Sequence, residues 1–421
     1  MNLRLFPSAP TGTLRAIPSK SMAHRLLICA AFADKETKIH CREINEDIRA
    51  TVDCLRALGA SIDYDAGEFT VRPLSSPLQH ALLPCGESGS TLRFLLPIAA
   101  MLGVNASFEM KGRLPLRPLS PLREELERCG ITLSPQDSNP LLCQGKLTET
   151  NFSVAGSVSS QFISGLLLSL AISGNGGTLT VQGQLESAPY VAMTVMALSL
   201  FGVIITKHEA TYIVPAHQGL RSPSSIITEG DWSAAAFPLC MGAVGKHPVS
   251  VSGLDLSSLQ GDREIVDLLR RFGAVVLEEG DRVTVSPAPL RGIEIDASQI
   301  PDLVPVLAAV ASVAEGQTVI YGASRLRWKE SDRLSSSCSL LTELGGKVTV
   351  TEDGLIIQGV PALRGGTVSS YGDHRIAMSA AVASLVCREG VTVKDAHVTA
   401  KSYPVFWEDM KTIGLSWKTL P

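Results

Sequence analysis

The sequence has few of the features that mark metalloproteins, secreted proteins or membrane proteins. Its nine cysteines are scattered and form no C-x-x-C pair, a distribution that favours reduced thiols over a metal site or a disulfide framework. Its start, MNLRLFPSAPTGTLRA, lacks the apolar segment of a secretory signal, and its most apolar windows are too short to span a bilayer. We therefore expect a cytoplasmic protein that does not insert into a membrane.

Charged residues and common ligand motifs are also sparse. Only 19% of the 421 residues are charged and the net charge is −4, which gives no support to a nucleic-acid partner. The chain has no Walker A loop, no G-x-G-x-x-G after a strand and no H-E-x-x-H, so the usual nucleotide and zinc-protease motifs are missing. Any anion binding must come from local clusters of basic residues.

The sequence does contain a repeat of about seventy residues. A helix-like segment that ends in Gly and continues into a strand-like segment occurs six times, with the glycines at 59, 130, 202, 273, 345 and 414. Gly in that place is typical of a left-handed helix C-cap. A second helix, apolar on nearly every side and therefore expected to be buried, also occurs six times. Its copies begin at Ser21, Gly89, Ser160, Asp231, Asp302 and Asp373.

Each repeat is interpreted as buried helix, strand, amphipathic helix, strand and strand. Because 421 residues are long for one core, six repeats predict an α/β (α+β) protein with two domains of three repeats, each with buried helices wrapped by sheet. The polar stretch Ser222 to Gly230 suits a hinge between them. A solenoid of six stacked repeats is the alternative, although common solenoid repeats are shorter and have fewer strands.

Basic residues at the starts of three buried helices indicate an anion-binding site. A cation in the first turn is unfavourable by roughly 0.3–1 kcal/mol, because the helix N-terminus is itself positive. An anion bound at that end would remove the conflict. The basic residues are Lys20, Arg25, Arg93, His374 and Arg375.

The junctions between a strand and the following amphipathic helix are a second place where binding residues are expected, since ligand-binding loops commonly lie there. The stretch RLRWKESDRL (325–334) is the fifth of six such junctions. Taken alone, its charges are as well explained by a solvated, salt-bridged helix start. Four residues occupy corresponding places in different junctions, namely Arg117, Ser187, Lys329 and Lys401.

Nine stretches resemble the signatures of the EPSP synthase (3-phosphoshikimate 1-carboxyvinyltransferase) family of enolpyruvyl transferases. They are PSKSMAHR, GESGSTLR, LPLRPL, SSQFISGLLL, ESAPY, IPDL, WKESDRL, YGDHRIAM and TAKSYP, in family order from about Pro18 to Pro404. The resemblance implies the two-domain enolpyruvyl transferase fold with six βαβαββ repeats. It implies one domain of residues 12–226, mainly for shikimate 3-phosphate. Residues 1–11 plus 227–421 would form the other, mainly for phosphoenolpyruvate and the acid and base residues.

The resemblance also implies a reaction. The enolpyruvyl group of phosphoenolpyruvate would pass to the 5-hydroxyl of shikimate 3-phosphate by addition and elimination, releasing phosphate, as a step of the shikimate pathway towards aromatic amino acids. It implies small anionic substrates, no metal or organic cofactor, and a monomer. Arginine forks suit the phosphates and carboxylates of such substrates.

Roles carried over from the family fall on residues of the quoted stretches. Asp302 would be the base for the 5-hydroxyl, Glu330 would exchange the proton at the methylene carbon, and Lys20 would touch both substrates. The residues implied for shikimate 3-phosphate are Lys20, Ser21, Arg25, Ser159, Ser160, Gln161, Ser187, Tyr190, Asp302 and Lys329. Those implied for phosphoenolpyruvate are Lys20, Gly89, Arg117, Gln161, Arg333, His374, Arg375 and Lys401.

Some residues keep a second interpretation. Helix N-capping would equally explain Asp302, Ser160 and Asp373, and Arg93 is better placed as a structural residue than as a ligand. The family often has Asn where this chain has Arg325, so the substrate contact of that position is not implied here.

Two other functions stay open. Enolpyruvyl transfer to UDP-N-acetylglucosamine, the sister reaction, would favour Lys-Asn where this chain has Lys20-Ser21 and a Cys in the loop KGRLPLRPL, which has none. A non-catalytic, anion-binding repeat protein would not need Asp302 and Glu330 beside the basic cluster.

Overall fold

The computed structural model describes all 421 residues and divides into two compact units. The N-terminal unit comprises Pro18–Thr228, and the C-terminal unit comprises Met1–Ile17 together with Glu229–Pro421. The chain therefore leaves the C-terminal unit after Ile17 and not, as the sequence suggested, after Thr11. It returns after Thr228, two residues beyond the expected 226.

The C-terminal unit takes its first two strands from the start of the chain, and the N-terminal unit follows. These strands are β1 (Asn2–Leu5) and β2 (Gly12–Arg15). The N-terminal unit then contains α1 (Lys20–Ala31), β3 (Thr37–His40), α2 (Glu46–Ala57), β4 (Ser61–Asp65), β5 (Glu68–Arg72), β6 (His80–Gly86), α3 (Gly89–Leu102), β7 (Asn105–Met110), α4 (Leu122–Arg128), β8 (Ile131–Leu133), β9 (Leu141–Gly145), β10 (Asn151–Ala155), α5 (Ser160–Ser173), β11 (Gly177–Gln182), α6 (Ala188–Leu200), β12 (Thr206–His208), β13 (Thr211–Val214) and β14 (Ser225–Ile227).

The rest of the C-terminal unit repeats the same order of elements. It contains α7 (Trp232–Val244), β15 (Val249–Ser252), α8 (Ile265–Phe272), β16 (Val275–Glu279), β17 (Arg282–Ser286), β18 (Glu294–Asp296), α9 (Val304–Ala311), β19 (Gln317–Tyr321), α10 (Arg333–Glu343), β20 (Lys347–Val350), β21 (Leu355–Gln358), β22 (Gly366–Ser369), α11 (His374–Ser384), β23 (Val391–Lys394), α12 (Phe406–Thr412) and β24 (Trp417–Leu420). Short 3-10 turns precede α8, α9, α10 and α12.

Six four-stranded sheets share one pattern of pairing. In the sheet β6-β7-β9-β8, β6 and β7 are parallel, and β9 is antiparallel to both β7 and β8. Three of the sheets take a strand from a distant part of the chain: β14 joins β3, β2 joins β15, and β1 lies between β23 and β24. Because β2 pairs with β15, the segment up to Ile17 belongs to the C-terminal unit.

The sheets enclose the apolar helices, as their all-round apolar composition predicts. Helices α1, α3 and α5 are buried in the core of the N-terminal unit, and α7, α9 and α11 in that of the C-terminal unit. Helices α3 and α7 continue through Pro97 and Pro238. The six repeat glycines, 59, 130, 202, 273, 345 and 414, have φ between +79° and +114°, which confirms the left-handed C-caps.

None of the helices combines the length and the apolar character that a membrane crossing requires.

Candidate active site

The buried helices of the N-terminal unit begin with uncharged caps. Ser19, Ser88 and Ser159 precede α1, α3 and α5, and each hydroxyl accepts a hydrogen bond from a backbone N–H of the first turn. A serine cap satisfies one of the open N–H groups of a helix start without adding negative charge. The positive ends of these three helices are therefore not neutralised by their caps, which favours the binding of anions there.

Lys20 opens α1 and is held by a carboxylate from the next helix. Its Nζ lies 3.0 Å from Oδ2 of Asp47 in the first turn of α2, and the lysine side chain is 18% exposed. Sequence reasoning missed Asp47, although its place in the first strand-to-helix junction was a signal. The ion pair fixes Lys20 at the helix start and leaves part of its side chain open to solvent.

Gly89 opens α3 with two guanidinium groups directly beside it. A Cβ on Gly89 would lie 2.8 Å from Nη1 of Arg93 and 2.9 Å from Nη1 of Arg117. Both arginines are buried, and Arg93 donates to the carbonyls of Gly89 (3.4 Å) and Pro118 (3.1 Å). The absence of a side chain at Gly89 thus lets two cations approach a helix N-terminus, an arrangement suited to a phosphate or carboxylate.

Arg25 lies deeper than its sequence position suggested. It is 2% exposed, and its guanidinium donates to the hydroxyls of Thr194 and Ser164 and to the carbonyls of Ser21 and Tyr190. Burial lowers the pKa of Arg25 to about 10. The structure thus shows Arg25 joining α1, α5 and α6, and its implied contact with substrate stays a prediction.

The remaining predicted residues of the N-terminal unit lie at the starts of α5 and α6. Ser159 caps α5, Ser160 is its first residue, and Nε2 of Gln161 donates to Oγ of Ser90 on α3 (3.0 Å). The capping alternative therefore applies to Ser159 and not to Ser160. Ser187, immediately before α6, is 3% exposed and has a left-handed backbone (φ 54°), a conformation that is strained for a residue with a side chain. Tyr190 is half-buried in the first turn of α6.

Two of the three buried helices of the C-terminal unit have acidic caps. Oδ1 of Asp231 accepts from the N–H of Ala234 at the start of α7 (2.8 Å), and Oδ1 of Asp373 accepts from the N–H of Arg375 at the start of α11 (2.9 Å). The capping explanation of Asp373 is thus confirmed. For Asp302 it is wrong, because Asp302 lies within a 3-10 turn, Pro301–Leu303, and α9 begins at Val304 without a side-chain cap.

Arg333 is the centre of the charged cluster in this unit. Its guanidinium, 2% exposed, lies 2.7 Å from Oδ1 of Asp302, 2.8 Å from Oε2 of Glu330 and 2.7 Å from Oδ2 of Asp373. Burial lowers the pKa of Arg333, but the three carboxylates outweigh it and raise the pKa above its ordinary value. Its implied contact with phosphoenolpyruvate stays a prediction, since the structure commits most of its donors to these acids.

Asp302 receives two further cations. Its Oδ1 lies 3.6 Å from Nζ of Lys329 and its Oδ2 lies 3.3 Å from Nη2 of Arg375, which also donates from Nη1 to the backbone carbonyl of Asp302 (2.9 Å). Burial raises the pKa of Asp302, but Arg375, Lys329 and Arg333 together hold it well below its usual range. Asp373 shows the same balance: burial raises its pKa, but Arg333 lowers it by more, so the pKa lies below its usual range.

Five residues predicted from sequence are therefore brought together in the C-terminal unit: Asp302, Lys329, Glu330, Arg333 and Arg375. His374, the first residue of α11, is 1% exposed, and its Nδ1 lies 3.8 Å from Oδ1 of Asp373. Lys401 is 5% exposed and ends the 3-10 turn Ala396–Lys401, which packs against α11. Sequence reasoning gave Asp373 only a capping role and no contact with Arg333, and it assigned no role to Ser331, which donates to Asp373 (3.1 Å).

The other charges of RLRWKESDRL have structural partners. Asp332 caps α10 by accepting from the N–H of Ser335 (3.1 Å), and its Oδ2 lies 3.1 Å from Nη1 of Arg327. Arg325 donates to the carbonyl of Ser298 (2.8 Å), which ties this junction to the loop that leads to Asp302. The stretch is thus a structural helix start and a cluster of functional groups at once.

Comparisons with known proteins identify the family to which this cluster belongs. A model of EPSP synthase (3-phosphoshikimate 1-carboxyvinyltransferase) matches residues 7–410. The chain belongs to the EPSP synthase family. Curated relatives named 3-phosphoshikimate 1-carboxyvinyltransferase include one from Clostridium perfringens, 39% identical over 413 residues, covering 97% of both chains. One from Clostridium kluyveri is 40% identical over 411 residues, covering 97% of this chain and 96% of the relative.

Solved structures show the same fold. EPSP synthase from Acinetobacter baumannii has a TM-score of 0.82 at 25% identity, covering 99% of both chains. The enolpyruvyl transferase NikO from Streptomyces tendae has a TM-score of 0.78 at 22% identity, covering 99% of this chain and 98% of that one. The predictions of a two-domain enolpyruvyl transferase fold, of membership in the EPSP synthase family and of a transferase are confirmed.

Proposed function

We propose that this chain transfers the carboxyvinyl group of phosphoenolpyruvate to the 5-hydroxyl of shikimate 3-phosphate and releases phosphate. Besides family membership, one observation carries the proposal: two carboxylates, Asp302 and Glu330, are held by Arg333 in a cluster that also contains Lys329 and Arg375. In such a cluster the carboxylates can transfer protons and the cations can bind anions, all within one unit.

The anionic groups of the substrates are assigned to basic residues and helix starts of both units. Lys20, Gly89 and Arg117 offer a helix N-terminus and two cations to a phosphate or carboxylate, and Ser159, Ser160 and Gln161 offer neutral hydrogen-bond partners at the start of α5. The family resemblance adds Ser21, Ser187, Tyr190, His374 and Lys401 as further contacts. Arg25 and Arg333 are better supported as the residues that hold the others in place.

The proposed proton transfers follow from the two carboxylates. The 5-hydroxyl gives its proton to Asp302 and its oxygen bonds to C2 of phosphoenolpyruvate, while C3 takes up a proton from Glu330. The C2–O bond to phosphate then breaks, and the phosphate leaves with its bonding electrons and the proton held by Asp302. The methyl group returns a proton to Glu330, and its C–H electrons restore the double bond between C2 and C3.

The low pKa of Asp302 makes it a weak base while three cations face it. An anionic substrate that engages Lys329 or Arg375 would weaken their hold on the carboxylate. The pKa of Asp302 would then rise towards the range that favours proton abstraction. Substrate binding and activation of the base are in this way coupled through the same two cations.

We also propose that the protein works in the cytoplasm as a monomer. Its nine cysteines are free, and eight of them are buried, which suits a reducing compartment.

The test is phosphate release from phosphoenolpyruvate with shikimate 3-phosphate or UDP-N-acetylglucosamine as acceptor. We expect rapid release with shikimate 3-phosphate and none above background with the nucleotide sugar. Faster release with the nucleotide sugar would assign the sister reaction instead. Binding of both proposed substrates without release would point to a non-catalytic protein.

A further inference from the structure

A fourth carboxylate, Asp262, lies beneath the cluster of the C-terminal unit. It belongs to the 3-10 turn Gly261–Glu264, in the fourth of the six strand-to-helix junctions, and is 2% exposed. Its Oδ1 is buried without a hydrogen-bond partner. A buried carboxylate oxygen without a partner costs about 1–3 kcal/mol or more, so the position needs an explanation.

Asp262 reaches the cluster through one hydroxyl. Oγ of Ser233, in the first turn of α7, donates to Oδ2 of Asp262, and Nη2 of Arg375 donates to the same Oγ at 2.7 Å. The guanidinium of Arg375 also lies 2.9 Å from the carbonyl and 3.3 Å from Oδ2 of Asp302. A chain of hydrogen bonds therefore runs from Arg375 through Ser233 to Asp262.

The ionised carboxylate of Asp262 sets the donor-to-acceptor direction of these hydrogen bonds. A serine hydroxyl has one proton and two lone pairs. While Asp262 is ionised, the proton of Ser233 points towards it and a lone pair faces Arg375. When Asp262 is protonated, its own O–H can donate to Ser233. The hydroxyl proton of Ser233 must then point away from Asp262, and where it faces the N–H of Arg375 it weakens that hydrogen bond.

We propose that Asp262, acting through Ser233, is a positioning residue that fixes the guanidinium of Arg375 for the anionic substrate, and that it does so only while ionised. The inference rests on the proposed function, because it assumes that Arg375 binds phosphoenolpyruvate. Asp262 itself touches neither substrate.

The surroundings of Asp262 set the pH at which the relay would fail. The pKa of Asp262 is raised to about 6, mainly by burial and next by the carboxylate of Asp302. Arg375 and the hydroxyl of Ser233 lower it, and Asp231 at the start of α7 raises it slightly. The neighbouring Arg263 donates instead to the carbonyl of Leu256. The proton uptake therefore falls in an accessible range, between pH 5 and 8.

The test compares the wild type with Asp262→Asn, which mimics the protonated acid, from pH 5 to pH 8. At pH 8 we expect the KM for phosphoenolpyruvate to rise about 10- to 100-fold in the variant, the loss of one hydrogen bond to a charged group. The KM for shikimate 3-phosphate should change less than about twofold. As the pH falls through about 6, the wild-type KM should approach that of the variant. Dividing the KM of the variant by that of the wild type at each pH cancels the effect of the titration of phosphoenolpyruvate itself.

Matched variants separate positioning from damage to the fold. Ser233→Ala should raise the same KM as much as Asp262→Asn, the double variant should add little, and Ser233→Thr should restore the wild-type value. Asp255→Asn changes an exposed acid of the same junction and should leave the KM unchanged. A KM ratio that is constant with pH, or a wild-type KM in either relay variant, would overturn the proposal.

Failure of the proposed function has a different signature. If the wild type turns over neither acceptor, the reaction assignment fails. The relay is then judged by the rise in melting temperature that inorganic phosphate gives at pH 8 and pH 5. Protection that is lost in Asp262→Asn at pH 8 supports the relay, and equal protection in both proteins overturns it.

Discussion

Arg25, within α1, and Arg333, the first residue of α10, are both only 2% exposed, yet their pKa values move in opposite directions. Arg25 donates to neutral hydroxyls and carbonyls, and burial lowers its pKa to about 10. Arg333 contacts three carboxylates, and its pKa is raised. A buried guanidinium is thus stabilised in two ways in this protein. Neutral hydroxyls and carbonyls surround it in the N-terminal unit, and carboxylates surround it in the C-terminal unit.

The caps of the buried helices follow the same division. Serines cap the three helices of the N-terminal unit, whereas Asp231 and Asp373 cap two of those in the C-terminal unit. Neutral caps keep the positive potential of a helix start for an incoming anion. Acidic caps neutralise it but supply carboxylates for positioning. The caps of the N-terminal unit therefore leave more positive potential at its helix starts than the acidic caps of the C-terminal unit do.

Removing one carboxylate from the C-terminal cluster should have the largest effect on activity. We expect Glu330→Gln and Asp302→Asn each to lower kcat by about 10²- to 10⁴-fold, the usual contribution of a proton-transfer group. Steady-state kinetics of phosphate release would measure this. Asp332→Asn is the matched control, since Asp332 lies in the same stretch and caps α10. Asn caps a helix about as well as Asp, so this variant loses only the partly exposed ion pair with Arg327, roughly 0–1 kcal/mol, and should leave kcat near normal. Equal losses of kcat in all three variants would refute the assigned roles.

Exchanging each buried arginine for methionine tests the comparison itself. Arg333→Met removes the cation that three carboxylates share, although Asp302 keeps Lys329 and Arg375, and should lower the free energy of unfolding by about 3–5 kcal/mol. Arg25→Met leaves only neutral groups unpaired and should cost about 1–3 kcal/mol. Denaturant unfolding followed by circular dichroism would measure both losses.

The free energy of unfolding should depend on pH differently in the two variants. In the wild type, Asp302 and Asp373 have lowered pKa values, so their contribution is present above the unfolded value of about 4 and is lost as the pH falls below it. Without Arg333 the buried carboxyls should titrate above that value, so Arg333→Met should regain stability on acidification from pH 7 to about 5. Arg25→Met should show no such recovery; equal profiles would mean that the acids of the C-terminal unit are not coupled to Arg333.

A smaller effect is expected at the exposed edge of the N-terminal unit. Lys20→Met should raise the KM for both substrates by about 10- to 100-fold, because a charged hydrogen bond to each is lost. Lys38→Met is the control, since Lys38 forms an exposed ion pair with Glu68 in the same unit and such pairs contribute roughly 0–1 kcal/mol. An effect of Lys20→Met on one substrate alone would show that the residue is not shared.

Local patterns in the sequence were enough to predict the repeats. The glycine C-caps and the apolar helices depend on neighbouring residues, and both recur at the predicted period of about seventy residues. The boundary at Ile17 was not predictable in this way, because it depends on the pairing of Gly12 with Val249, two residues whose contact leaves no local pattern.

The same difference between local patterns and distant contacts applies to the candidate site. The positions of Lys329, Glu330 and Arg333 followed from the repeat, but the burial of Arg333 depends on Asp302 and Asp373 from other parts of the chain. Helix capping was the alternative interpretation of Asp302, because the residue precedes an apolar run. The 3-10 turn that starts at Pro301 moves the helix start past it, so its carboxylate is available to three cations.

The place of β1 between β23 and β24 also bears on how the chain acquires its structure. Asn2 is paired with Leu420, so β1 finds this partner strand only after the more than 400 residues between them have been synthesised. The N-terminal unit, whose strands all lie between Thr37 and Ile227, can fold during synthesis. The acid-rich C-terminal unit must wait, and its first strand remains without its sheet for longer than any other element.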